Sequence, residues 1–349
     1  MKIKKTTLLL IIILILISSA IVIYLSRDNA KLIPSTPNVT REQPLVQGES
    51  IGTDEEYSKI KALAEDQNVV KAWDYVVENY AQNNASSSAG HDYAHYVGKL
   101  IFEKNGLTGM NICTPILAFG CYHGLLDVAF RKGLSDLLPA QIACEKLGPR
   151  GSGPTTSCTH GIGHGVASYF KSKDLNNALK TCDLLPEGSP QYCYDGVFME
   201  FSRDALDGFY KKDDPLYPCN AIDAKYTFAC GRNLPSVALH RLDKSYEEVA
   251  KSCQKSPNRN LRTSCYVALG FQAVYAAESD PLKISSICES IDDKEFEYQC
   301  KSAAAGELVF QNMPNWQVNS TQICESITVT NQRQLCTDHV TQIQRNYGR

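Results

Sequence analysis

The fourteen cysteines of this 349-residue chain are spaced like marks on a ruler. Taken in order they form seven pairs: Cys113/Cys121, Cys144/Cys158, Cys182/Cys193, Cys219/Cys230, Cys253/Cys265, Cys288/Cys300 and Cys324/Cys336. The second members follow one another at intervals of 37, 35, 37, 35, 35 and 36 residues. Periods in this range mark stacked helical hairpins, in which each unit covers the apolar face of its neighbour.

The sequence around each pair agrees with that period. Amphipathic stretches precede the first cysteines, as in "DLNNALKTCDLL", "SYEEVAKSCQKS" and "DPLKISSICESI", each opening on an Asp or Ser suited to cap a helix. More apolar stretches follow the second cysteines, as in "CYDGVFMEFSRDAL" and "CYVALGFQAVYAAE", and polar turns lie between. Each unit therefore reads as helix A, turn, helix B, with one cysteine near the end of A and the other at the start of B. Those positions meet across an antiparallel hairpin, so the expected bridges are the seven pairs above. Loops of about a dozen residues give about 2–3 kcal/mol of stabilisation per bridge. The fold class expected is all-α: a solenoid of about seven disulfide-closed hairpins.

The units are similar to Sel1-like repeats, a branch of the tetratricopeptide-type helical hairpins that includes secreted cysteine-rich bacterial proteins. The likeness is carried by "ACEKLG" at 143–148, with "TCDLLP", "ICESID" and "ICESIT" at the corresponding place in other units, and it spans roughly residues 85–345. It implies a stacked-hairpin architecture with one disulfide per unit, and no functional residue is carried over.

Disulfides on this scale call for an oxidising compartment, and the N-terminus supplies a route to one. "MKIKK" precedes twenty uncharged residues, 6–25, long enough to cross a bilayer as a helix. The lysines place residues 1–5 in the cytoplasm and everything after Arg27 outside it. A cleaved signal peptide would also export the chain, but the apolar run continues past the small residues at 18–20 through Ile21–Leu25, which favours an uncleaved single-pass anchor. Residues 26–55, rich in Pro, Ser, Thr and charge, read as a flexible linker, and 56–349 as the extracytoplasmic repeat domain. A net charge of −3 gives no reason to expect a nucleic-acid partner.

Numbering each helix B from its cysteine exposes a shorter pattern. Offsets +2 and +6 hold His123 and Asp127 in the first unit and His160 and His164 in the second; the third has Asp195 at +2, Met199 at +6 and Glu200 at +7. Upstream, His91 and His95 show the same four-residue separation without a cysteine. Residues four apart share one helical face. His91, His95, His123, His160, His164 and Asp195 are therefore expected to ligate a transition metal: iron, zinc, manganese or copper. Asp127 and Glu200 are the candidate general bases beside a metal-bound water. Later units carry Arg232/Ser236, Val267/Phe271, Ser302/Gly306 and Asp338/Gln342 at these offsets and read as scaffold. His240 and His339 read as ordinary polar residues.

The function expected is a membrane-anchored extracytoplasmic metalloprotein, with a hydrolase or an oxygenase as its enzymatic forms. The alternative is a non-catalytic module binding a peptide, protein or glycan in its concave groove, with Tyr93, Tyr122, Phe130, Tyr169 and Phe198 supplying stacking area. Glycines at 98, 124, 161, 165 and 196 each cost a helix up to about 1 kcal/mol, so tight packing or room for a ligand must offset them. Spacing raises one difficulty. Helices packed about 8–10 Å apart in an open arc would hold His91 too far from Asp195 to share an ion.

Overall fold

A computed structural model describes residues 52–81, 89–131, 133–204 and 208–347. The cytoplasmic tail expected at 1–5, the transmembrane helix expected at 6–25 and nearly all of the linker expected at 26–55 lie outside the described residues. No described helix is long and apolar enough to cross a membrane.

Every regular element among the described residues is a helix. Helices α1 (Asp54–Asp66) and α2 (Val69–Tyr80) precede the cysteine ruler, and α3 (Ala89–Asn105) carries His91 and His95. The repeat follows as α4 (Gly120–Ala129), α5 (Leu137–Glu145), α6 (Gly153–Tyr169), α7 (Leu175–Cys182), α8 (Pro190–Asp204) and α9 (Thr227–His240). It ends with α10 (Tyr246–Lys255), α11 (Arg259–Ala276), α12 (Pro281–Glu289), α13 (Lys294–Phe310), α14 (Trp316–Glu325) and α15 (Thr330–Tyr347). Helices α3, α4, α6, α8, α9, α11, α13 and α15 pack each on the next as an inner layer, and α5, α7, α10, α12 and α14 each lie against the inner helix of their own unit.

The disulfides are those the ruler predicts. Cys113 is bonded to Cys121, Cys144 to Cys158, Cys182 to Cys193 and Cys219 to Cys230. Cys253 is bonded to Cys265, Cys288 to Cys300 and Cys324 to Cys336, which leaves no cysteine free. Each bridge closes one unit and none links two, so every bridge closes a short loop. The second cysteine of each pair lies on the inner helix: Cys121 on α4, Cys158 on α6, Cys193 on α8, Cys230 on α9, Cys265 on α11, Cys300 on α13 and Cys336 on α15. The expected caps also form: Asp174 accepts from the Asn177 amide, Asp280 from those of Leu282 and Lys283, and Ser245 makes a reciprocal capping box with Glu248. These caps satisfy amides that have no partner within the helix.

Two units depart from the expected hairpin. Cys113 follows a short 3-10 turn, Gly106–Asn111, and Cys219 sits in a run of turns, so neither has an α-helical A segment. The local sequence accounts for both. Gly106 takes φ +57°, which ends α3, and Pro115 follows Cys113 two residues on. Before and around Cys219, Pro215 and Pro218 remove two amide donors within four residues.

The inner helices touch backbone to backbone, and glycine is what permits it. A Cβ on Gly124 would fall inside the van der Waals shell of the His95 carbonyl oxygen, and one on Gly98 would strike the Cys121 carbonyl, so α3 and α4 interlock reciprocally. Gly163 against the Cys193 carbonyl and Gly196 against that of His160 do the same for α6 and α8. Between α4 and α6, a Cβ on Gly161 would lie 2.8 Å from the His123 ring. Of the two explanations for these glycines, tight packing is the one the structure displays.

That contact sets a sign opposite to helix propensity. An exposed helical Gly→Ala change gains up to about 1 kcal/mol. Gly124→Ala should instead lose about 1–3 kcal/mol, the usual cost of overpacking, and a lowered urea midpoint at unchanged slope would register it.

Candidate metal centre

The five histidines of the short pattern come together in one cluster. Within each i,i+4 pair the ring centroids are 4.6 Å apart for His91 and His95 on α3, and 4.7 Å for His160 and His164 on α6. His123, from α4, stands between the pairs, with centroids 6.3 Å from His91, 5.6 Å from His95, 5.6 Å from His160 and 5.0 Å from His164. The glycine contacts bring adjacent helices close enough for ring-to-ring contact, and Asp195 meets His160 rather than joining the group that contains His91. One ligating nitrogen from each of His91, His95 and His123 lies within 4.8 Å of the other two, a spacing that suits a shared ion.

The rings of His91, His123 and His164 are each hydrogen-bonded to the surrounding chain, and His91 Nε2 also meets His95 Nε2 at 3.1 Å. His91 Nδ1 donates to the Leu117 carbonyl at 2.7 Å and His123 Nε2 to the Ser157 carbonyl at 3.2 Å. A carbonyl only accepts, so each of these contacts fixes a tautomer and leaves the lone pair on the other nitrogen. His164 Nδ1 is hydrogen-bonded to Glu200, and His160 Nδ1 lies 3.2 Å from Asp195 Oδ2. Anchoring of this kind, by a carbonyl or carboxylate behind the ring, is what metal-binding imidazoles ordinarily have. His91, His123, His160 and His164 are buried, and His95 is partly exposed as a residue.

The carboxylates therefore stand behind the rings. Asp195 is flanked by Arg232 Nε at 3.6 Å and the Asn233 side-chain amide at 3.3 Å, besides His160. Glu200 accepts from Arg203 at 2.6 Å as well as from His164, and these contacts occupy both of its oxygens. Asp127 lies apart at the edge: it accepts from Ser168 at 2.6 Å and Arg131 at 3.0 Å and pairs with Lys99 at 3.8 Å. In these positions Asp195 backs an imidazole, and neither Glu200 nor Asp127 faces the clustered rings as a free base.

Arg232 is the residue that sequence reasoning passed over. It occupies +2 of its unit, the offset of His123, His160 and Asp195, so the pattern runs one unit further than its histidines suggest. A charged residue at a buried offset was the available signal. Of the aromatic residues proposed to line a groove, Tyr93, Tyr122, Phe130 and Phe198 are buried, and Tyr169 alone is exposed. His240 and His339 lie outside the cluster; His240 Nε2 pairs with the Gln272 side chain at 3.0 Å.

The entry to α4 is conformationally costly. Leu117, Ala118 and Phe119 have φ of 59°, 49° and 64°, three successive non-glycine residues in the left-handed region. That region costs roughly 1–2 kcal/mol per residue for a side chain with a Cβ. The same segment presents the Leu117 carbonyl to His91 and sits inside the Cys113–Cys121 loop.

Comparisons of the chain with protein-family models, with curated proteins and with solved structures find no match.

Desolvation of the His95 ring, reinforced by the nearby imidazoles of His91, His123 and His164, holds its pKa well below the ordinary 6.5. In the unfolded chain His95 would take up its proton near that ordinary value, while in the folded chain it resists. Stability is therefore fully present above the ordinary histidine range and is lost as pH falls through it. The urea midpoint of the metal-free protein should drop between about pH 7.5 and about pH 5.5, and His95→Gln should flatten the drop.

Proposed function

We propose that this is an extracytoplasmic metalloprotein, anchored in the membrane through residues 6–25, whose centre holds a transition-metal ion on His91, His95 and His123. The observation that carries this is the convergence of their three ligating nitrogens within 4.8 Å. The donors are imidazoles, with the carboxylates standing behind them, and that set suits zinc or copper better than manganese, which prefers oxygen. Three imidazoles leave a fourth position for water. Neutral ligands leave the ion its full charge, and that charge makes the bound water acidic. Among the enzymatic forms, a water-activating hydrolytic site is thus favoured over an oxygenase. Seven disulfides and the apolar N-terminal run both support a position outside the cytoplasm. Burial of four of the five candidate groove aromatics weakens the alternative of a stacking groove for a peptide or glycan.

Untagged protein purified without chelator should carry at least one equivalent of zinc or copper by elemental analysis. Metal-stripped protein should regain thermal stability on adding either ion, by about 2.7 kcal/mol at a hundredfold excess over Kd. His91→Ala with His123→Ala should lower the metal content by one equivalent and reduce the stabilisation. A wild-type protein that neither retains nor takes up zinc or copper would refute the proposal.

A further inference from the structure

We infer that the centre is dinuclear, with His160 and His164 holding a second transition-metal ion beside the one on His91, His95 and His123; this rests on the metal-site reading above. The two i,i+4 pairs are built alike, with ring separations of 4.6 and 4.7 Å, and His123 stands between them at comparable distances from both. The group of three closely spaced nitrogens comprises His91, His95 and His123, which leaves the second pair outside it.

The second pair has its own outer support. Asp195 and Glu200 stand at the Nδ1 atoms of His160 and His164, and Arg232 and Arg203 hold those carboxylates in turn. With His164 Nδ1 hydrogen-bonded to Glu200 and His160 Nδ1 3.2 Å from Asp195, metal would bind through Nε2 of each ring. Both ring nitrogens of His160 are fully buried with no hydrogen-bond partner, on a residue only 2% exposed, and Nδ1 has Asp195 Oδ2 at 3.2 Å as its ionic neighbour. A buried nitrogen of this kind costs about 1–3 kcal/mol when nothing binds it, and a metal ion removes that cost. Paired ligands from neighbouring helices are a common way for helical proteins to assemble two-ion sites. With three imidazoles at one ion and two at the other, solvent would supply the remaining positions, and adjacent ions that hold such solvent are effective in hydrolysis.

The test uses the untagged full-length protein in detergent, stripped of metal with its disulfides intact, and titrated with Cu2+ under electron paramagnetic resonance. The first equivalent should give the spectrum of an isolated ion. The second should bring in a half-field transition and leave fewer unpaired spins than ions, as two copper ions a few ångströms apart couple. In parallel, uptake of Zn2+ should fall from two equivalents to one in His160→Gln/His164→Gln, and likewise in His91→Gln/His95→Gln. Saturation of the wild type at one equivalent, or a second equivalent with an uncoupled spectrum, overturns the second ion and leaves the three-histidine site standing. No uptake of either ion overturns both. The copper titration needs no variant, so it decides the matter even where a substituted chain fails to fold.

Discussion

The close contact between inner helices is the constraint on which the rest of the structure depends. Where Gly124 lies on the His95 carbonyl, and Gly163 and Gly196 interlock, consecutive helices approach nearer than side chains would allow. Imidazoles from three helices then meet without long linkers or a tightly closed ring of repeats. The same glycines weaken each helix by up to about 1 kcal/mol apiece. Local disulfides such as Cys144–Cys158 and Cys182–Cys193 act in the opposite direction, restricting the unfolded chain unit by unit. Helices that are poor on their own are thus tolerable within closed hairpins.

Polar groups fill the space those contacts create. His160, His164, Asp195, Glu200 and Arg232, at 2–5% exposure, would be costly if left unmatched. Here they follow an order along the stack. Histidines dominate α3, α4 and α6, the carboxylates beside His160 and His164 come from α8, and the guanidinium groups from the end of α8 and from α9. Each layer faces its electrostatic complement in the next. The chain beyond α9 carries a separate ionic network in which the buried Lys301 meets the exposed Glu289 at 2.8 Å and the buried Glu297 at 3.0 Å.

The left-handed run at Leu117–Phe119 has the character of a positioning device. Backbone strain of this kind persists where surrounding structure overdetermines it, and such places concentrate at functional sites. The segment is pinned by the Cys113–Cys121 bridge and by the hydrogen bond from His91. The irregular first unit, lacking an α-helical A segment, is therefore the one that orients a proposed ligand.

The sequence by itself determined the helical class, the seven bridges and the capped starts of several A helices, because all of these are local. A cysteine period of 35–37 residues and an Asp or Ser ahead of an amphipathic run need no knowledge of distant neighbours. Pairs such as Cys219–Cys230, Cys253–Cys265, Cys288–Cys300 and Cys324–Cys336 were legible because each bridge closes only its own turn. The histidine pattern was legible for the same reason, since +2 and +6 fall on one helical face. The placement of Asp195 beside His160 and of Glu200 beside His164 was not, because spacing cannot distinguish a carboxylate inside a cluster from one next to it. Arg232 was read as scaffold for want of its contact with Asp195, and the missing A segments show how prolines and glycines override a regular period. Only the tertiary structure decided that the five rings share one space. That depends on how closely helices pack, which is set by glycines facing carbonyls on the neighbouring inner helix.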